Sequence, residues 1–489
     1  MTIALYPAMA DAAHVRVWLG ITGQSQAPAP SWAFGALSGA PVAATPEVVR
    51  PLSPARGMVP PANGAARAFS GLFEFPVPPA AGVERPAFRV QVSVGAETAT
   101  LVTRPLPSDF EPGPTGGFTL LLASCYCHDE DDGALGRTAR FVASRFRPDA
   151  TLLMGDQVYL DIPTTRNLPE KNPALLDVLE ANYARNWLPD GRREYTFADL
   201  LKVAPVLCLP DDHEYWNNAP HVSPFIQNSW TNAGRLLWRR NGDALFDGYQ
   251  NVTGTPGQPH VTLDVGPLSL FVANGRTARK EDRSASFSAQ TREAFAAWAT
   301  QVGAQGRFPA FLTGQSMLDL PSSKLSGAAA DYMQSNYGDY PEVMSRLDRL
   351  AKDVADVLLL TGDVHWGRVA ELTPTGSLGT QTRLYEVISS PSTLVTTIGA
   401  DFFSRAKNWL GGSKERWPRH SDTPDPPSVL RLPGSSYVAR TLFPHKGDQL
   451  CVLRLTRAPA ALDVTAHYIE VGTNRVSTAP TFRMRRRAP

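Results

Sequence analysis

Four short stretches carry metal-type ligands. They are "SCY" with Cys125, "GDQVY" with Asp156 and Tyr159, "DDHEYWNN" with Asp211, Asp212 and His213, and "GDVHW" with Asp363 and His365. Thiolate, phenolate and imidazole (Cys125, Tyr159, His365) suit an iron-like transition metal. The carboxylates of Asp212 and Asp363 suit a harder cation such as calcium, magnesium or manganese. Asp156 has two oxygens and can bridge the pair. Two metals about 3.5–4 Å apart lower the pKa of a shared water and clamp a phosphoryl group for in-line attack. A single acid after a strand carries little weight, but four such sets carry much more.

Each set follows an apolar run. "FTLLLAS" leads to Cys125, "ATLLMG" to Asp156, "PVLCLP" to the Asp-Asp-His stretch, and "DVLLLTG" to Asp363 and His365. Helix-length segments alternate with these runs, near 133–146, 172–187, 288–304 and 341–353. Continuous apolar strands separated by helices indicate sheets covered on both faces. Ligands gather at the carboxyl ends of such strands. The first 114 residues differ: they hold 17 of the 43 prolines and short alternating runs such as "HVRVWLG" and "AFRVQVSVG". That texture predicts a small N-terminal β-sandwich over residues 1–110. A catalytic domain over 115–489 follows a linker near 107–117.

Composition narrows the class. In 489 residues, 47 Lys and Arg face 46 acids, leaving a net charge of +1. This balance argues against a dedicated nucleic-acid or membrane-surface binder. The apolar runs fall short of the roughly 18 residues that span a bilayer. The N-terminus has no basic stretch followed by a long apolar one, so the expected compartment is the cytoplasm. Four cysteines are too few and too scattered for a disulfide framework, and Cys208 reads as a small buried side chain.

With these motifs in order over roughly residues 115–395, the chain resembles the PhoD-like alkaline phosphatases of the calcineurin-like metallophosphoesterases. The "GDQVY" element is also similar to that of purple acid phosphatases. The resemblance implies an α+β fold: a four-layer αββα metallophosphoesterase sandwich with a small N-terminal β-sandwich. It implies Cys125 as an iron ligand in place of the superfamily's usual Asp-x-His, Asp156 as the bridge and Tyr159 as tyrosinate. Asp212 stands where most members carry a metal-binding Asn, and Asp363 and His365 serve the second and first metals. His213 is then the non-ligand histidine near the leaving group, with Glu214 placed to orient it. The implied cofactors are Fe3+ with Ca2+, or with another divalent cation such as Mn2+, Mg2+ or Zn2+. The implied activity is hydrolysis of small phosphate mono- or diesters, with a metal-bridging hydroxide as nucleophile and His213 as general acid. The alternatives are a diesterase dedicated to a nucleotide or phospholipid, and a phosphate-ligand binding protein without turnover. The presence of His213 argues against the last.

Substrate contacts are expected from Asn217 and Asn218, and from Arg276 and Arg279, whose guanidinium forks fit phosphate oxygens. The family's D-x-R-x-x-R appears here as "NGRTAR", with Asn274 in the acid's place, and Tyr337 replaces a Trp. His221 and His260 are the remaining histidines between His213 and His365. The acidic "HDEDDG" at 128–133 does not have the Gly and terminal Glu at the fixed offsets of a calcium loop and reads as a solvated rim.

Overall fold

The computed structural model describes residues 1–62, 67–78, 86–113, 116–162, 168–322, 331–375, 383–393, 427–432 and 435–487. Strand burial separates two kinds of sequence. Phe88–Val94 alternates between buried and half-buried positions, the period-two signature of a strand with one face in a core. Leu268–Ala273 and Val357–Thr361 are buried at every position, as strands covered on both faces must be.

Three sheets result among the described residues. In the largest, Phe118–Ala123, Ala150–Met154 and Val206–Leu209 run parallel and adjacent, with Leu152 opposite Leu122 and Leu207. The antiparallel strands Gln449–Ala458 and Ala461–Glu470 extend it on one side. On the other side it continues into the N-terminal region: Thr2–Ala8 pairs parallel with Val206–Leu209 through Ala8 and Val206. His14–Gln24, Arg67–Pro76 and Glu47–Pro54 follow. A four-stranded sheet containing Ser31–Ala36 and Phe88–Val94 faces these N-terminal strands. Val17, Leu19 and Phe75 share a core with Trp32, Val90 and Val92. The N-terminal strands thus form two facing layers, one of them continuous with the large sheet.

The third sheet has eight strands. Leu268–Ala273, Phe308–Leu312, Val357–Thr361 and Leu384–Ile388 run parallel at its centre. Leu122, Leu152 and Leu209 of the large sheet share a buried cluster with Leu270, Leu312, Leu358 and Leu360 of this one. Phe271, Phe311 and Leu359 instead meet Phe295 and Trp298 of helix Ala289–Gln305 and Val343 and Leu347 of helix Tyr340–Asp353. Helix Ala134–Phe146 buries Leu135, Ala139 and Val142, the spacing of one helical stripe. No helix among the described residues is long and apolar enough to cross a membrane.

The carboxyl ends of the two parallel sets meet. After Leu384–Ile388 the chain turns back, and the Ser392 amide donates to the Ser124 carbonyl at 2.8 Å. This seam is where the four motifs lie.

Candidate metal centre

Several of the candidate site residues lie in strained turns. Cys125, Asp156, Asn218, Asp363 and His365 all have φ between 55° and 66°. They are five of ten non-glycine residues in that left-handed region among those described. Such conformations cost on the order of 1–3 kcal/mol each and persist where surrounding structure holds them. Two glycines let the turns approach one another. A Cβ at Gly155 would lie 2.5 Å from the Asp211 Cβ, and one at Gly362 would lie 2.7 Å from the Ser124 hydroxyl. The Gly of each "GD" pair is therefore a packing requirement of the seam.

Asp156, Asp211, Asp212 and Asp363 each offer a carboxylate oxygen, and these lie within 4.8 Å of one another; Asp156, Asp212 and His213 form an overlapping group. Cys125 joins them, its Sγ 3.5 Å from an Asp156 oxygen. Ser390 ties in the last motif: its hydroxyl accepts the His365 amide at 3.1 Å and lies 3.2 Å from the Cys125 sulfur. The Tyr159 ring packs on His213 with centroids 4.2 Å apart. The predicted ligands Cys125, Asp156, Tyr159, Asp212 and Asp363 are thus gathered around one seam, with His365 drawn in through its backbone. His221 and His260 are not part of these groups. His221 is 3.1 Å from the Tyr337 hydroxyl, and His260 stacks on Phe271.

Electrostatically the seam is overcharged. Burial raises the Asp156 carboxyl well above the ordinary range. His213 opposes this, but Asp212, Asp211 and Glu214 add to it. Asp211 is likewise raised by burial despite Arg276 beside it. Burial pushes up the Cys125 thiol and the Tyr159 phenol, and neighbouring acids push further. Several polar atoms are buried without a hydrogen-bond partner: the Tyr159 hydroxyl, the Asn217 carbonyl and both amide atoms of Asn218. Such orphans are costly unless a ligand completes them. A crowd of carboxylates beside an unpartnered phenol and a thiol fits cations.

Glu214 departs from its expected role and does not orient His213. Its carboxylate points back under the loops and accepts the backbone amides of Asp211 and Gln157 at 2.7 Å and of Asp156 at 3.0 Å. The Val158 amide at 3.4 Å and the Gln250 side chain at 3.0 Å also donate to it. The geometry favours this because a carboxylate can satisfy several donors that would otherwise be buried unpaired. Glu214 thereby locks the Asp156 turn to the Asp211 turn. The partner of His213 is Asp161, 2.7 Å from Nδ1 and itself held by the Asn217 amide at 2.6 Å. Burial alone would lower the His213 pKa. Asp161 first, then Asp212 and Asp156, outweigh it and hold the imidazole well above its usual range. Asp161 is the acid five residues after Asp156, so the signal was present in the stretch "GDQVYLD".

Asn217 and Asn218 support the site by their backbones as well: the Asn218 amide donates to Asp212 at 2.7 Å. Arg276 and Arg279 are buried and already engaged. Arg276 pairs with Asp211 at 2.5 Å and Asp331 at 2.7 Å. Arg279 lies 4.6 Å over the Tyr337 ring, bonds Gln315 at 2.6 Å and reaches Asp331 at 3.3 Å. Asn274 caps this turn by accepting the amides of Arg276 and Thr277. The acidic loop also has a buried member: Asp131 accepts the amides of Gly133 and Leu135 at the start of helix Ala134–Phe146.

No protein-family model matches the sequence, and no curated protein matches it. Solved structures do match in fold. A structure of PhoD aligns with a TM-score of 0.60 at 12% identity, over 99% of this chain and 91% of that one. The purple acid phosphatase PPD1 from yellow lupin (Lupinus luteus) seeds aligns at 0.54 and 9% identity, over 98% of this chain and 73% of that one. The chain therefore shares its fold with a PhoD and a purple acid phosphatase.

Proposed function

We propose that this protein is a metal-dependent phosphoric ester hydrolase with a binuclear centre. The observation that carries the reading is the set of three buried carboxylates, Asp156, Asp211 and Asp212, with the half-buried Asp363, whose carboxylate oxygens lie within 4.8 Å of one another. The likeness in fold to a PhoD and a purple acid phosphatase supports the same reading. On this view the two facing parallel sheets and their helices are the inner and outer layers of an αββα sandwich. The N-terminal strands form an appended β-sandwich that shares one sheet with it.

Cys125, Tyr159 and His365 would hold the softer cation, iron in this reading. Asp212 and Asp363 would hold the harder one, calcium or another divalent ion, and Asp156 would bridge them. Bound there, the cations would supply an activated water and neutralise phosphoryl charge. The chain's own groups do the rest. Asp161 holds the His213 ring in place and keeps it protonated, so Nε2 carries a proton available to the departing ester oxygen. Tyr159 covers one face of that ring. The side-chain N–H group of Asn218, unpartnered in the fold, is available to phosphoryl oxygens, and the unpartnered side-chain oxygen of Asn217 beside it is an acceptor suited to a hydroxyl or a cation.

The test pairs elemental analysis with turnover. Protein purified without added metal should hold two unlike metals per chain and hydrolyse nitrophenyl phosphate esters. Protein that carries both metals yet turns over neither mono- nor diesters would refute the hydrolase reading.

A further inference from the structure

Beside the carboxylate seam lies a second cluster, of opposite sign and already filled. Arg276 and Arg279 are each only 1% exposed at their side chains, whereas Asp331 is 12% exposed, so the carboxylate is the outward member. Both guanidiniums reach the same Asp331 oxygen, at 2.7 and 3.3 Å. Gln315 joins this group to the seam: its side-chain amide donates to Asp331 and, at 3.1 Å, to Asp363. The carboxylate of Asp331 therefore sits one amide away from a proposed metal-binding carboxylate, in a fork-lined socket whose geometry suits phosphoryl oxygens. With Asp211 taking the inner side of Arg276 at 2.5 Å, two positive charges already meet two negative ones.

The charge of the substrate decides what this means. With a second ionisation near pH 6, a phosphomonoester carries close to two negative charges above neutral pH, while a diester carries one. A dianion needs cationic groups beyond the metals, and the two arginines placed to help are occupied by an acid of the same chain. We infer that Asp331 is a specificity-determining residue: by filling the Arg276–Arg279 socket it disfavours dianionic monoesters and tunes the site to monoanionic diesters. This rests on the hydrolase reading and names its substrate class.

The experiment measures kcat/KM of the metal-loaded enzyme for nitrophenyl phosphate and bis(nitrophenyl) phosphate at alkaline pH. Wild type should favour the diester. Asp331→Asn, which vacates the charge but keeps the shape, should move the ratio toward the monoester by about tenfold or more, chiefly through the monoester KM. Asp331→Glu should hold the wild-type ratio. A wild type that prefers the monoester overturns the inference, as does an Asp331→Asn ratio within about twofold of wild type. If Asp331→Asn does not fold, Asp331→Ser replaces it under the same criteria. If wild type hydrolyses neither ester, the hydrolase reading fails separately. Titration calorimetry with inorganic phosphate then decides: binding at least about tenfold tighter in Asp331→Asn supports the socket, and equal affinity removes it.

Discussion

The two sides of the seam handle charge in opposite ways. On one side, three buried carboxylates and the half-buried Asp363 crowd together, and burial first, then the neighbouring acids, raises the pKa values of Asp156 and Asp211. On the other, Arg276 and Arg279 close around Asp331. Burial alone would raise that carboxyl, but the guanidiniums more than offset it and hold it down to about 2. The first side is incomplete as folded and calls for cations. The second is complete and calls for nothing until Asp331 is displaced. Arginines read from sequence as phosphate contacts thus prove to be engaged, while acids read as ligands prove to be overcharged. What a charged side chain can bind depends on what the fold has already given it.

Breaking the incomplete side should have the largest effect. Asp156 contributes to both acidic groups and, through an oxygen 3.2 Å from the His213 amide, fixes the turn that carries Asp212. Asp156→Asn should abolish hydrolysis and lower both metals together in elemental analysis. Loss of one metal with the other fully retained would show that Asp156 serves a single ion.

A smaller loss should follow at His213. His213→Ala should slow alkyl phosphate hydrolysis by about 10²–10⁴-fold, the usual range for a general acid. Nitrophenyl esters, whose leaving group needs little protonation, should lose far less. Asp161→Asn should act through the ring's pKa, because Asp161 is the strongest of the groups raising it. A raised pKa keeps the acid form present until the pH passes it, so this variant should move the alkaline limb of the alkyl-ester profile to lower pH. An unmoved limb would make Asp161 a packing partner only. Equal losses on both ester types in His213→Ala would remove the acid role.

Much of the site was legible because ligand chemistry and strand pattern are local. Cys125, Asp156, Asp212 and Asp363 each follow an apolar run that folds as a buried strand. The Glu214 assignment failed because adjacency in sequence to His213 says nothing about direction. In the short helical turn Asp212–Glu214 the carboxylate points back under the loops, whereas the histidine meets Asp161. Asp331 and Gln315 were invisible because their partners lie 55 and 48 residues away. Helix Asn232–Tyr249 also escaped the sequence reading. Its buried positions Trp238, Leu245, Phe246 and Tyr249 are interrupted by arginines and glycines. Trp18, 230 residues distant, donates its indole N–H to the Gly248 carbonyl. Propensity could not find a helix whose buried face is set by distant residues, Trp18 and Tyr183 against Tyr249 and Trp216 against Trp238.

The smallest effect, and the most direct test of the contrast, concerns stability of the metal-free protein. Asp331 has an unfolded value of 3.8 and a folded value of about 2. Its contribution is therefore complete above about pH 4 and is lost as the pH falls through about 2. For Asp156 the sign reverses. Its folded value lies above 3.8, so the ionised form is a cost at neutral pH, and stability grows as the pH falls from the folded value toward 3.8. Asp331→Asn should accordingly lower the urea midpoint at neutral pH, by the equivalent of about 1–3 kcal/mol for a lost charged hydrogen-bond partner. That deficit should shrink near pH ~3 as wild type begins to lose the same interaction. Asp156→Asn in the same metal-free protein should raise the neutral midpoint, because it removes a carboxylate that only a cation would match. If both substitutions lower the midpoint, the carboxylate side is as well satisfied as the arginine side, and the contrast between them fails.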